Sequence, residues 1–244
     1  MANKLYEESA IQDIADAIRS KNGSSDTYTV SEMSNAIENI PSGGGDIGEY
    51  YELNAINNAN NIKDFIKKIP DLNAGTSTTM DSGFSGMKML EEIGTITALS
   101  CSNFSFAFYN NPMLTKIKGL QTSLSLKNVS NMFRNSPKLT EIPPFDTSGV
   151  TRAQNMFYSC SALTKVPEFN FSSITDINNM SYMFDSVYKL TDESLDNILK
   201  SCISAGTTGA LSSLGFTAAR YNASRIQALP HYQDFIDAGW SIGY

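Results

Sequence analysis

The sequence predicts a mixed α/β chain, a solenoid of short parallel strands and return loops preceded by a small helical hairpin. Three features carry this reading: a leucine-led motif that recurs about every 24 residues, several apolar columns in step with it, and two amphipathic stripes upstream of a glycine-rich linker.

A fixed period dominates the middle of the chain and sets the place of every element there. Leu90-Glu91-Glu92-Ile93, Leu114-Thr115-Lys116-Ile117, Leu139-Thr140-Glu141-Ile142 and Leu163-Thr164-Lys165-Val166 begin 24, 25 and 24 residues apart. One step back lies Ile66-Lys67-Lys68-Ile69, and 27 residues on lies Leu190-Thr191-Asp192. A phenylalanine column runs Phe84, Phe108, Phe133, Phe157, Phe184, and four residues before each lie Met80, Phe104, Val129, Ala153, Met180. Leu72, Ile96, Leu120, Phe145 and Phe169 form another column. Independent apolar columns sharing one 20–29-residue period are the mark of a leucine-rich-repeat-like solenoid. About five units fill residues 61–191, each with one short parallel strand. Pro143 and Pro167, just past the second apolar strand position, predict strands that end early.

One polar column tests the register. It reads Lys68, Glu92, Lys116, Glu141, Lys165 and, as a weaker extension, Asp192, with the sign alternating at each step. Residues side by side on parallel strands about 4.8 Å apart repel if like-charged and pair if opposite. The ladder is read as structural neutralisation rather than a ligand strip.

Upstream, Ile11, Ile14, Ala15 and Ile18 fall on one face of a helix that Asn22-Gly23 ends. Val30, Met33, Ala36, Ile37 and Ile40 form a second stripe, opened near Ser31 and closed by Pro41. A hairpin of about forty residues is too small to be stable on its own core. Its apolar faces, with Ile11, Ile14, Ile18, Met33, Ile37 and Ile40 as attachment or oligomerisation residues, therefore dock on the rest of the chain, on a separate subunit or on copies of themselves. The run Pro41-Ser42-Gly43-Gly44-Gly45 favours docking elsewhere, because a triple glycine uncouples its two sides. The expected division is a helical module at 1–41, a linker and entry segment at 42–60, the repeats at 61–191 and a C-terminal capping unit at 192–244. In that last unit Leu195, Ile198 and Leu199 share a helix face, and Trp240 is read as a packing residue.

Composition excludes several functions. A formal net charge of -7 with no Lys/Arg cluster argues against nucleic acid and anionic lipid partners. The three cysteines, Cys101, Cys160 and Cys202, have no metal-type spacing and are read as small buried hydrophobes. No signal-peptide pattern and no apolar run of membrane-spanning length occurs, so membrane insertion is not expected. His231 is the sole histidine, read as an ordinary surface residue, and no nucleophile elbow, phosphate loop or metalloprotease motif is present. The carboxylates Glu92 and Glu141 flank Lys116, which would depress rather than raise a proton donor's pKa. Neither enzymatic activity nor a cofactor is expected.

Two resemblances add to this. The string Ile11-Gln12-Asp13-Ile14-Ala15-Asp16-Ala17-Ile18-Arg19-Ser20-Lys21-Asn22-Gly23, followed by Tyr28-Thr29-Val30-Ser31-Glu32-Met33 and Ala36-Ile37, resembles a short module of structural proteins from phages infecting Gram-positive bacteria. It covers about residues 8–41 and implies a virion component. Met132-Phe133, Met156-Phe157, Met183-Phe184, the Ser159-Cys160-Ser161-Ala162-Leu163 run and Leu163-Thr164-Lys165-Val166-Pro167 with Phe169 resemble BspA-type leucine-rich repeats of bacterial surface proteins. That resemblance spans about residues 62–191, although Gly83-Phe84 and Ala107-Phe108 lack the methionine and only Cys160 fills the cysteine position. The closing Ala238-Gly239-Trp240-Ser241-Ile242-Gly243-Tyr244 is similar to a last strand of repeat-bearing phage proteins, which would finish the sheet. Adhesion and recognition are what these likenesses imply.

The expected function is a tail-fibre or receptor-binding protein of a phage, made in the host cytoplasm and carried on the virion as a homo-oligomer. Its partners would be other virion proteins, through the N-terminal helices, and a cell-surface polysaccharide or protein of a Gram-positive host. A capsid or neck decoration protein and a BspA-like bacterial adhesin are the alternatives. Tyr109, Lys118, Arg134 and Tyr158, which flank the apolar columns, are the candidate ligand-facing residues and are expected to point outward.

Overall fold

The computed structural model describes residues 66–216 and 221–243. The attachment residues Ile11, Ile14, Ile18, Met33, Ile37 and Ile40, and the linker at 42–60, lie outside the described residues. The remainder is a mixed α/β structure with a small, open, parallel four-stranded sheet: β1 (Lys68–Ile69), β2 (Leu72–Asn73), β3 (Glu92–Thr97) and β4 (Lys116–Gln121). Three helices follow, α1 (Asp192–Ser204), α2 (Ala223–Gln227) and α3 (Tyr232–Asp237).

β1 and β2 both pair with β3, one after the other along it, with Lys68 opposite Glu92 and Leu72 opposite Ile96. They are two halves of one strand, broken where Pro70 has no N–H to donate. Asp71 repairs the ladder with its side chain, its Oδ1 accepting the Thr95 amide at 2.7 Å. The repair brings two backbones close, since a Cβ on Gly94 would stand 2.5 Å from the Asp71 nitrogen. β4 pairs with the other side of β3, with Glu92 opposite Lys116 and Ile96 opposite Leu120. Beyond β4 the strands shrink to a single parallel bridge, Glu141 opposite Lys165, next to Pro143 and Pro167.

The most regular backbone ladder lies not in the sheet but in the return segments. Amides of Met80, Ser82, Phe84 and Gly86 donate to carbonyls of Asn103, Ser105, Ala107 and Tyr109 in the next unit. The pattern repeats from residues 104–110 to 128–134, from 129–135 to 152–158, and from 153–159 to 179–185. Holding alternate amides towards the next unit while the chain turns requires positive φ at two places per unit. These are Ser82, Phe106, Asn131, Asn155, Tyr182 and, four residues on, Gly86, Asn110, Asn135, Ser159, Ser186. Asn and Gly tolerate that region because of a short side chain or none. Bulky Phe106 and Tyr182 do not sit there without strain.

Sheet and return segments enclose the core. Met80, Phe104, Val129, Ala153 and Met180 are fully buried, as are Ile93 and Ile96. The five column phenylalanines form a stack, with successive ring centroids 5.3–5.6 Å apart from Phe84 through Phe108, Phe133 and Phe157 to Phe184. Phe216 continues it at a tilt, 5.4 Å from Phe184. These spacings lie within the favourable range for offset aromatic pairs. In the neighbouring column Phe145 is only half-buried, whereas Phe169 is buried.

Hydroxyls hold one unit to the next. Thr115 Oγ1 donates to the Glu91 carbonyl, Thr140 to Thr115 and Thr164 to Thr140. Ser102, Ser123, Thr151 and Ser173 act likewise at other corners. A buried column does the same inside: Asn111 Nδ2 donates to the Phe84 carbonyl, Ser136 Oγ to Phe108 and Cys160 Sγ to Phe133. The departures from cysteine at this position are thus different donors aimed at the same acceptor.

α1 ends the sheet side. Leu195, Ile198, Leu199 and Cys202 face the core, and Thr191 caps the helix by accepting the Ser194 amide. A polar stripe at i, i+3, i+7 and i+10 lies along the last unit's backbone. Ser194 Oγ accepts from Val166 N–H at 3.1 Å and donates to the Thr164 carbonyl; Asn197 Nδ2 donates to the Val166 carbonyl. Ser201 and Ser204 Oγ accept from the amides of Phe169 and Phe171 at 2.8 and 2.9 Å. Side chains thereby satisfy groups that a following strand would otherwise pair, which blunts the sheet edge.

The closing segment does not finish the sheet, because α1 occupies that edge. Ser241 instead pairs in parallel with Ala210, and the Leu211 amide donates to the Ser241 carbonyl. This continues the return-segment side, where the amides of Tyr182 and Phe184 already reach Ser213 and Leu214. Trp240 is buried against Phe235, with centroids 5.9 Å apart.

Candidate functional site

The outer side of the return segments carries most of the candidate ligand-facing residues. Between the buried Phe104, Ala107 and Phe108, the chain turns Asn103, Phe106 and Tyr109 away from the core. The next unit presents Asn128, Asn131 and Arg134 at those places, and the one after presents Arg152, Asn155 and Tyr158. Tyr109, Arg134 and Tyr158 therefore occupy one column. They are half-buried, not fully outward, because each leans on its neighbours. Tyr109 packs edge-on against Phe106 at 5.4 Å. The Arg134 guanidinium lies 4.7 Å from the centre of the Tyr158 ring, and its Nη1 donates to Asn131 Oδ1 at 3.2 Å. Such cation–π contact holds a flexible arginine in place and leaves its charge available. Lys118 is elsewhere, exposed on β4 of the sheet face.

Along the same outer side Ser130 Oγ donates to Gln154 Oε1 at 2.8 Å, and Gln154 Nε2 donates to Asn179 Oδ1 at 3.0 Å. Asn103 and Asn128 each accept the amide two residues on, which orders their side chains. Phe106 and Tyr182, 36% and 56% exposed, are among the exposed large hydrophobics, with Leu99, Leu124 and Tyr188 also in this part of the chain.

Charge is distributed unevenly. No Asp or Glu occurs from Ile93 to Thr140, a stretch that holds Lys116, Lys118, Lys127, Arg134 and Lys138. Among the described residues, neither Arg134 nor Arg152 has a carboxylate within ion-pair distance. The alternating column on the sheet face is different. There Lys68 and Glu92 approach to 3.9 Å, while Lys116 and Lys165 stand in register with Glu92 and Glu141. Asp192 leaves that column to start α1, and it pairs with Arg225 at 2.6 Å. Such exposed pairs contribute at most about 1 kcal/mol each.

His231 is not a plain surface residue. Its backbone N–H donates to Asp196 Oδ1 at 3.0 Å and its Nδ1 lies 2.8 Å from Oδ2, where Lys200 also approaches to 3.3 Å. Burial pushes the Asp196 carboxyl up, but bonds from the His231 backbone and ring and from Lys200 outweigh it, so the pKa falls below the usual value. A folded-state pKa below the unfolded value of about 3.9 means that the stabilisation is complete at neutral pH. It is lost as pH drops below that value. The melting-temperature gap between the parent protein and Asp196→Asn should be widest near pH 7 and should narrow below about pH 4. A gap independent of pH would show that the carboxylate charge contributes nothing.

All three cysteines are buried and unpaired. Burial pushes the thiols of Cys101 and Cys160 up to about 11 and about 12, and that of Cys202 upward as well. Cys101 and Cys160 donate to the Ser77 and Phe133 carbonyls, Cys202 packs in the core, and raised thiol pKa values suit none of them to act as a nucleophile. Among the described residues no group of His, Cys, Asp and Glu is placed to hold a metal ion. Two shallow grooves lie on the sheet side. One of about 220 Å³ sits among Glu141, Lys165, Glu193 and Asn197, and one of about 340 Å³ among Asp71, Asn73, Thr97 and Gln121. Among the described residues no helix is long and apolar enough to cross a membrane.

No curated protein and no solved structure matches the chain. A family model described as "Mycoplasma protein of unknown function, DUF285" matches it twice, over residues 31–139 and 102–200. The second match begins about three repeat steps after the first, as a periodic sequence allows. Together the two matches cover residues 31–200, well over half of the chain, and the protein belongs to the DUF285 family.

Proposed function

We propose that this chain is a non-enzymatic recognition protein of a phage particle, a leucine-rich-repeat-like solenoid held to the virion by its N-terminal helical module. In this reading residues 1–41 attach to other virion proteins or to copies of the chain, 42–60 are a leash, 61–191 present the binding surface and 192–244 cap it. The particle's tail fibre or receptor-binding tip is its address, and the surface of a Gram-positive host its target. The observation that carries the reading is the combination of an anchor-like module, a triple-glycine linker and a rigid ladder of units whose outward positions vary while the inward ones repeat. A scaffold of this kind separates packing from recognition, and several copies on one particle would multiply weak contacts.

A second reading, a bacterial surface adhesin, is favoured by the family description, which refers to Mycoplasma proteins. Immunogold labelling with antibody against the full chain separates the readings. Label at the tail tip, together with blocked adsorption by the purified chain, is the expected result. Label on the capsid would replace the receptor-binding role with decoration. Label on bacterial cells and none on particles would sink the phage assignment.

A further inference from the structure

We propose that the outer side of the return segments, between about residues 99 and 189, binds an anionic polysaccharide. Acidic groups of the glycan would lie on Arg134 and Arg152, and its sugar rings on Phe106 and Tyr182. The proposal rests on the recognition reading above and assigns it a face and a ligand chemistry.

Four observations converge on this face. Phe106 and Tyr182 are exposed aromatics that hold positive φ, 55° and 56°, where the adjacent units carry Asn131 and Asn155. A bulky residue kept in a strained backbone position and turned to solvent points to use of the ring rather than to folding. Arg134 is fixed over Tyr158, and it and Arg152 have no carboxylate partner among the described residues. The surface between them is neutral amide and hydroxyl, tied by the Ser130–Gln154–Asn179 relay, which presents ordered donors and acceptors at little entropic cost on binding. Finally, the sheet face has its own charges in alternating register, whereas the return segments at 98–115, 122–138 and 147–162 contain no acid, and Asp176 and Asp185 stand only at the Tyr182 end of the face.

Flat aromatic rings suit the apolar faces of sugar rings, and amides and hydroxyls suit their hydroxyls. Two isolated guanidiniums suit carboxylates or phosphates spaced along a polymer. A nucleic acid would demand a continuous basic stripe, which a chain of net charge -7 does not supply here.

The test is affinity electrophoresis of the full chain through native gels containing polygalacturonate, poly(glycerol phosphate) teichoic acid, dextran or oligo(dT). Retardation by one or both of the first two, which distinguishes carboxylate from phosphate, and not by dextran or oligo(dT), is expected. Because the protein is itself acidic, bulk charge opposes that retardation and only a local site can produce it. Arg134→Gln with Arg152→Gln should weaken binding on the order of tenfold. Lys67→Gln with Lys165→Gln, which removes the same net charge on the sheet side, should not. Phe106→Asn with Tyr182→Asn installs the residue that neighbouring units use, so melting temperature should hold or rise while retardation falls.

Equal loss in the two charge-removing variants would overturn the proposal. So would unchanged binding in the asparagine variant, equal retardation by dextran or oligo(dT), or no retardation by either anionic polymer. Continued blocking of phage adsorption by a chain that no polymer retards would defeat this assignment and leave the recognition reading standing. Retardation without any effect on adsorption would do the reverse.

Discussion

Phe133→Ala should destabilise the protein by about 3–5 kcal/mol, as read from chemical denaturation at neutral pH. Phe133 is fully buried at the centre of the row, stacked on Phe108 at 5.3 Å and on Phe157 at 5.6 Å. Its removal opens a cavity that neither neighbour can fill, because each ring is held by its own backbone bonds to the adjoining unit. Phe133→Leu, which keeps most of the volume, should cost clearly less. If alanine proves as well tolerated as leucine, the ring row is not what binds the units together. The same substitution at Phe216, tilted at the end of the row with fewer units beyond it, should have a smaller effect.

The second large effect is expected at Asn111, which is buried completely. Its Oδ1 accepts the Met87 amide at 2.8 Å, and its Nδ2 donates to the Phe84 carbonyl at 2.9 Å and to the Phe108 carbonyl at 3.2 Å. Asn111→Ala strands the Met87 amide inside the core, at about 1–3 kcal/mol for an unsatisfied group, and takes one donor away from the Phe84 carbonyl. Asn111→Ser, the residue found at position 136, restores a donor to the Phe84 carbonyl and should recover part of the loss. Equal destabilisation by Ala and Ser would mean that the asparagine acts through its volume and not through its hydrogen bonds. Hydrogen exchange at the Met87 amide offers an independent reading, since that proton should lose protection in both variants but more so in Ala.

The apolar columns were legible in the sequence because burial leaves a periodic trace. Any residue type large and greasy enough serves at Phe104, Val129 or Met180, so long as it recurs at the right step. The polar logic was hidden for the opposite reason. Asn111, Ser136 and Cys160 share one role with three chemistries, so similarity of letters could not reveal it. The serines of α1 were invisible for a related cause: only contact with the amides of Val166, Phe169 and Phe171 distinguishes Ser194, Ser201 and Ser204 from ordinary polar residues of a helix. A spacing of three and four residues among Ser and Asn on the first helix after a repeat array is the signal that could have found them. His231 read as an ordinary surface residue because its partner, Asp196, is 35 residues away.

Of the four candidate contact residues, three were placed in one column by register alone, since Tyr109, Arg134 and Tyr158 each follow a buried phenylalanine. Their orientation was not, because it depends on Arg134 folding onto Tyr158 and on Phe106 supporting Tyr109. Phe106 and Tyr182 were missed altogether, as nothing in one sequence marks a residue as having positive φ unless it is glycine or asparagine.

By itself the amino-acid sequence determined the period, the inward residues and the stepwise pairing of neighbouring units, because hydrophobic burial is written locally and repeated. Only the tertiary structure decided that the more regular ladder runs through the return segments, that α1 and not a further strand closes the sheet, and that the last residues join the opposite side. Backbone hydrogen bonds are the reason: every residue but proline carries the same donor and acceptor, so where they pair is settled by what the assembled chain leaves unsatisfied.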